Sequence, residues 1–174
     1  LATYWMGSPQ RRGYEGITFI PKGINAVGGD ADNKNYFNTW AGFMTTPKKG
    51  DCSKYLAHLK DVICAGDQEH YEFVVSWMAE LVQRPERKIG CALVMKGGKG
   101  SGKGTIVKPL AEALGRHYMY VSSMQALLGN FNSHLGEAVL VFADEALWGG
   151  DKKADGALKS LITEPKIVLD CFRT

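Results

Sequence analysis

Apolar residues recur at helical spacing in two stretches before the middle of the chain. Over about 53–64, Tyr55, Leu56, Leu59, Val62 and Ile63 fall on one face, with Ser53 as the expected N-cap and Ala65-Gly66 as the stop. Over about 68–83, Tyr71, Val74, Val75, Met78, Leu81 and Val82 repeat the pattern, and Pro85 closes it. The two stripes predict a helical pair that packs on itself and on the segment that follows. Residues 1–50 carry no such period. They are rich in Gly, Asn, Asp and Pro with scattered rings (Tyr4, Trp5, Tyr14, Phe19, Tyr36, Phe37, Trp40, Phe43), which predicts an irregular segment pinned down by its aromatics.

From residue 89 the pattern changes. Cys91–Met95 is a short, wholly apolar run, as expected of a strand buried on both faces of a parallel sheet. A Gly-rich turn follows, then a helix with Val107, Leu110, Ala111 and Leu114 on one face and Pro109 inside it. Because Pro109 has no N–H for the carbonyl of Thr105, this helix is expected to kink or restart there. Tyr118–Val121 and Val139–Phe142 read as strands, about 154–163 as a helix and Ile167–Cys171 as a further strand. Strands alternating with helices predict an α/β fold with a parallel sheet. The expected division is an irregular 1–50, a helical lead-in 51–87 and an α/β core 88–174.

Composition narrows the class. The 174 residues are 45% hydrophobic and 22% charged, the balance of a globular protein, and no apolar run reaches the roughly 18 residues of a membrane span. No charged-then-apolar leader points to export. A net charge of +3 permits a nucleic-acid partner without demanding one. Cys52, Cys64, Cys91 and Cys171 form no C-x-x-C pair, and the four histidines lack metal-ligand spacing, so buried or free thiols are expected rather than zinc. The chain starts at Leu1 and stops just after a strand-like run, as expected of a piece of a larger protein.

The candidate chemistry begins in the turn Gly97-Gly98-Lys99-Gly100-Ser101-Gly102-Lys103-Gly104-Thr105, whose G-x-x-x-x-G-K core runs from Gly97 to Lys103. Phosphate oxygens need several inward-pointing N–H groups, and glycines let the main chain curl that tightly. The helix that follows adds its positive end, and Lys103 adds a point charge for the β- and γ-phosphates. A strand before and a helix after complete the context of a P-loop that binds ATP with Mg²⁺. The hydroxyl that ordinarily follows the lysine and holds Mg²⁺ is displaced: Gly104 stands there, and either Thr105 or a water fills the position. Lys96 and Lys99 are open to two readings, phosphate contact or solvated surface.

The second element is Val139-Leu140-Val141-Phe142-Ala143-Asp144-Glu145, an apolar strand delivering carboxylates to its C-terminal end in the manner of a Walker B motif. In a parallel sheet that edge is also where a P-loop lies. Asp144 is the expected Mg²⁺ carboxylate, through water, and Glu145 the base that polarises the attacking water. An Asp-Glu pair favours hydrolysis over transfer to a small molecule.

With both motifs in place, the stretch Ala146–Asp151 and the stretch Gly156–Pro165 resemble the superfamily 3 helicase domain of phage and mobile-element primase-helicases, in the group related to a deep-sea-vent phage primase-polymerase. Members of that group similarly read G-x-G-K-G, then D-E-A-x-W, then L-K-x-L-I-T-E. Pro9–Arg12, Phe19–Pro21, Asn38–Phe43 and Trp77 with Gln83–Pro85 extend the resemblance over nearly the whole chain. It implies an AAA+-like ATPase that assembles into a ring, a hexamer by expectation, and moves along single-stranded DNA during replication in the cytoplasm of a bacterial host. It also implies a sensor strand and an arginine finger beyond Thr174, and a DNA hairpin starting near Lys166–Arg173. Lys152, Lys153, Lys166 and Arg173 are candidate DNA contacts, with solvated lysines an equal reading for the first two. Gly100–Thr105 also resembles the loop of adenylate kinases, but those place it near the N-terminus and carry arginine-rich lids, whereas here Arg173 is the one arginine after Arg116. A non-hydrolysing, ATP-gated DNA-binding or assembly module is the remaining alternative.

Overall fold

The computed structural model describes residues 2–23, 35–98, 100–123, 127–128, 133–144 and 152–164. The stretch 1–50, expected to be irregular, holds a short helix α1 (Ala2–Met6) and a parallel two-stranded ribbon of β1 (Gly16–Thr18) and β2 (Tyr36–Asn38). The Tyr36 ring lies over its partner Gly16, where a Cβ would come 2.9 Å from Cε1, so a side chain at 16 would have to displace the ring. Asn38 ties off the end: its Oδ1 accepts from the N–H groups of Ile20 (3.0 Å) and Trp40 (3.1 Å), and its Nδ2 donates to the Ile20 carbonyl at 3.0 Å. Neither strand shows an alternating apolar pattern, so spacing alone gave no signal for them.

The helical pair is present. α2 (Ser53–Ala57) runs directly into a π-helical turn, His58–Ile63, and α3 spans Gln68–Gln83. Ser53 is not the N-cap. It is the first helical residue, Cys52 holds the cap position without a side-chain bond, and the Asp51 carboxylate accepts from the Ser53 N–H at 2.9 Å instead. The wider π turn also takes Val62 off the apolar face and leaves it half exposed, while Leu59 is fully buried. α3 keeps its expected bounds because Asp67 caps it, accepting from the His70 N–H at 2.8 Å.

α4 (Lys103–Leu114) follows the Gly-rich loop and continues unbroken through Pro109, so the expected restart is absent. Pro109 faces solvent, and the buried stripe Ile106, Val107, Leu110, Leu114 lies on the other side of the helix. That stripe meets Leu59, Leu81 and Leu140 in the main core, with Trp40, Phe43, Tyr71 and Trp77 packed around it. A 3-10 turn, Gly115–His117, leads into β3 (Tyr118–Val121), which pairs in parallel with β4 (Leu140–Ala143) from Tyr118↔Leu140 to Val121↔Ala143. α5 (Lys152–Thr163) sends Leu158 and Leu161 to a second cluster around Val121, Leu127 and Leu135. Among the described residues the architecture is mixed α/β with two small parallel sheets.

One expected strand is not formed. Cys91–Met95 has no regular secondary structure among the described residues, and Val94 is 77% exposed. An all-apolar run becomes a strand only between neighbours that cover it, and among the described residues none pairs with it. Trp77 holds its start instead, donating from Nε1 to the Cys91 carbonyl at 3.2 Å. The expected strand Ile167–Cys171 lies outside the described residues. Among those residues no helix is long and apolar enough to cross a membrane.

Candidate functional site

The Gly-rich loop closes around its own lysine. Lys103 Nζ donates to the carbonyls of Gly97 and Gly98, both at 2.8 Å, and to Ser101 Oγ at 3.3 Å. An ammonium has three protons, and all three are used inside the loop. The chain reaches this shape through two left-handed residues, Gly100 (φ +80°) and Gly102 (φ +85°), the second being the N-cap of α4. Gly102 has no side chain to cap the helix, and the Thr105 N–H donates to the Gly102 carbonyl at 2.9 Å. A Cβ at Gly98, Gly100 or Gly104 would meet nothing within 4 Å, so the loop presents bare backbone to open space. Free N–H groups at a helix start, a lysine and uncluttered main chain are what an oxyanion requires.

The orientation of α4 follows from its connection. Only Gly115–His117 separates Leu114 from β3, and α4 packs on both β3 and β4, so helix and strands run in opposite senses. The N-terminal end of α4 therefore lies toward the carboxyl ends of β3 and β4, where Asp144 follows Ala143. The Asp144 N–H donates to the Val121 carbonyl at 3.0 Å, extending the ladder by one bond, and its Oδ2 accepts from the Tyr120 hydroxyl at 3.4 Å. Burial, followed by the nearby Tyr120 and Asp144, raises the pKa of the Tyr118 hydroxyl on the same strand.

Not all the expected site residues are joined. Lys103, Gly97, Gly98 and Ser101 are brought together by direct bonds. Asp144 lies at the matching end of the strands, but no hydrogen bond or ion pair links it to Lys103 or Thr105 among the described residues. Thr105 is exposed in the first turn of α4, and Lys96 is exposed beside the loop. Lys99, Glu145, Lys166 and Arg173 lie outside the described residues, and of Lys152 and Lys153 only the backbone, at the start of α5, is described. Among the described residues no three His, Cys, Asp or Glu side chains gather as a metal-binding group, and Cys52, Cys64 and Cys91 are free thiols.

Sequence reasoning missed two contacts that the lead-in helix makes with this site. Tyr55 donates its hydroxyl to the Ile106 carbonyl at 2.7 Å, and His58 Nε2 lies 3.3 Å from the Gly102 carbonyl. From spacing, Tyr55 reads as part of an apolar stripe, and His58 offers no metal-ligand spacing. Their i, i+3 spacing on one helix was the available signal, but nothing in the spacing named the partner.

A family model described only as a family of unknown function (DUF5906) matches residues 95–171, a stretch that includes both the loop and Asp144. No curated protein matches the chain. Among solved structures it is similar to the apo structure of the NrS-1 C-terminal region (305–718), with a TM-score of 0.72 and 19% identity. The superposition covers 91% of this chain and 38% of that one, so the chain spans well under half of the neighbour's length. At that identity the likeness defines the fold: an α/β arrangement shared with the NrS-1 C-terminal region.

Proposed function

We propose that this chain is the nucleotide-binding part of a P-loop ATPase, of the superfamily 3 helicase type, that couples ATP hydrolysis to movement on single-stranded DNA during replication. The observation that carries the reading is the lysine enclosed by its own loop. Lys103 satisfies its three protons on Gly97, Gly98 and Ser101 above an uncapped helix start, the arrangement of a cation held ready in an anion site. Phosphate oxygens arriving there would take over those bonds and add the N–H groups of the loop and the first turn of α4. Lys99 is assigned to the same loop.

Asp144, at the matching strand ends, is assigned the magnesium carboxylate, with Thr105 or water completing that position, and Glu145 the general base. Magnesium, when bound, supplies charge neutralisation between the phosphates. Residues 88–174 form the nucleotide-binding unit on this reading, and 51–87 the lead-in that docks on it. Assembly into a ring, with a neighbour's arginine reaching the nucleotide, would make hydrolysis depend on association. Lys152, Lys153, Lys166 and Arg173 are the residues assigned to the DNA phosphates.

The test is thermal unfolding of the chain with and without ATP-Mg²⁺. At a hundredfold excess over its dissociation constant the ligand adds about 2.7 kcal/mol, and Lys103→Ala removes that gain. A folded chain with no shift in millimolar ATP would contradict the binding assignment. In the assembled ring, single-stranded DNA accelerates phosphate release, and Glu145→Gln binds ATP without turning it over. Full turnover by that variant would remove Glu145 as the base.

A further inference from the structure

We propose that His58 is a positioning residue of the phosphate-binding loop, holding the Gly102–Lys103 peptide so that its N–H faces the bound anion. The inference rests on the nucleotide-binding reading above and adds to it a residue from outside the loop.

The geometry has three parts. First, His58 Nε2 approaches the Gly102 carbonyl at 3.3 Å. A carbonyl only accepts, so Nε2 carries the proton and donates. The same oxygen accepts from the Thr105 N–H at 2.9 Å, so both of its lone-pair directions are occupied. Second, a trans peptide is planar and its C=O and N–H point in opposite directions. Fixing the Gly102 oxygen toward His58 and the first turn of α4 therefore fixes the Lys103 N–H the other way, out of the helix start. Third, the ring fills the space a side chain at position 102 would need: a Cβ there would come within 2.6 Å of His58 Cε1 and 3.0 Å of Nε2. Contact and hydrogen bond act on the same residue, the left-handed hinge of the loop at φ +85°.

His58 is itself well anchored. It opens the π turn, and the next residue, Leu59, is 1% exposed in the main core. One helical turn earlier Tyr55 donates to the Ile106 carbonyl at 2.7 Å. Two donors spaced i, i+3 on the lead-in thus meet two carbonyls one turn apart at the start of α4. Tyr55 joins the helices. His58 acts on the Gly102–Lys103 peptide, whose N–H is one of those at the anion site.

The experiment compares dissociation constants for ATP-Mg²⁺ with the melting temperatures of the nucleotide-free chain. His58→Phe keeps a ring against Gly102 and removes the donor, while His58→Gln retains an N–H donor. One hydrogen bond acting on the binding amide corresponds to roughly a tenfold weakening in His58→Phe, and His58→Gln should recover most of it. His58→Phe binding ATP-Mg²⁺ at the wild-type constant, with only its melting temperature lowered, would show a packing contact and overturn the proposal. Lys103→Ala is measured alongside. Wild-type binding by that variant would remove the loop reading itself, an outcome distinct from failure of the His58 assignment.

Discussion

The backbone N–H of Ala41 donates to Nε2 of His117 at 3.0 Å, joining points 76 residues apart in the chain. Because Nε2 accepts, the proton sits on Nδ1, which donates to the Glu137 carbonyl at 2.9 Å. The ring is wholly buried, with the rings of Trp40 and Phe19 centred 4.4 Å and 5.2 Å away. One side chain thus ties the N-terminal segment to the turn before β3 and to the entry of β4. His117→Ala would leave a buried N–H and a buried carbonyl unpaired and open a cavity, costing roughly 3 kcal/mol. Urea denaturation measures it, and a loss under about 1 kcal/mol would mean that neither backbone group depends on the ring.

Gly102 and Gly104 should respond oppositely to alanine. Gly102 is left-handed and pressed by His58, so Gly102→Ala should lower stability by about 1–2 kcal/mol. Gly104 lies inside α4 with nothing within 4 Å of its Cβ position, and Gly104→Ala should raise stability by roughly 0.5–1 kcal/mol through helix propensity. Equal effects in thermal unfolding of the nucleotide-free chain would show that the loop does not hold the backbone described.

Tyr55 gives the chain an alkaline limit. Burial pushes its pKa up to about 12. A phenol favoured as the neutral form in the fold stabilises it below the unfolded value, near 10, and that contribution fades as pH rises from there through 12. Stability should therefore fall above about pH 10. Tyr55→Phe should lose about 1 kcal/mol at neutral pH, by leaving the Ile106 carbonyl without its donor, and should flatten the alkaline fall. An unchanged alkaline slope in Tyr55→Phe would assign that slope to other groups.

Local periodicity made α3, α4 and β3 legible because each is fixed by its own apolar spacing and, for α3, by the cap at Asp67. The Gly-rich loop was legible for a different reason: left-handed turns at Gly100 and Gly102 admit few other residues. What the spacing could not carry was anything decided by distant partners. Cys91–Met95 has the composition of a central strand and lacks a paired neighbour among the described residues. β1 and β2 are three residues each and are held by the Asn38 side chain and a ring over Gly16, features with no period. Pro109 is expected to kink or restart its helix; α4 does not restart there, and the buried stripe on the opposite side continues through it. Packing outweighed one lost hydrogen bond. His58 and Tyr55 were visible as residues, but the carbonyls they serve, at Gly102 and Ile106, lie 44 and 51 positions away.

Asp144 offers the sharpest separation of fold from function. Its N–H bond to the Val121 carbonyl belongs to the backbone and survives substitution. Its carboxylate accepts one hydrogen bond among the described side chains, from the Tyr120 hydroxyl at 3.4 Å, and lies near the Tyr118 hydroxyl. Asp144→Asn keeps shape and hydrogen-bonding capacity while removing the charge, so the nucleotide-free chain should change in stability by no more than about 0.5 kcal/mol. A magnesium ion gains most of its protein affinity from a carboxylate, and the neutral amide supplies far less. In the wild-type chain ATP should therefore bind more tightly with Mg²⁺ than with a chelator, and in Asp144→Asn that ratio should collapse toward one while chelated ATP binds as before. Measuring both constants in both chains separates the roles of loop and strand end. A variant that kept the full Mg²⁺ dependence would show that Asp144 does not hold the metal, and would leave the loop chemistry around Lys103 untouched.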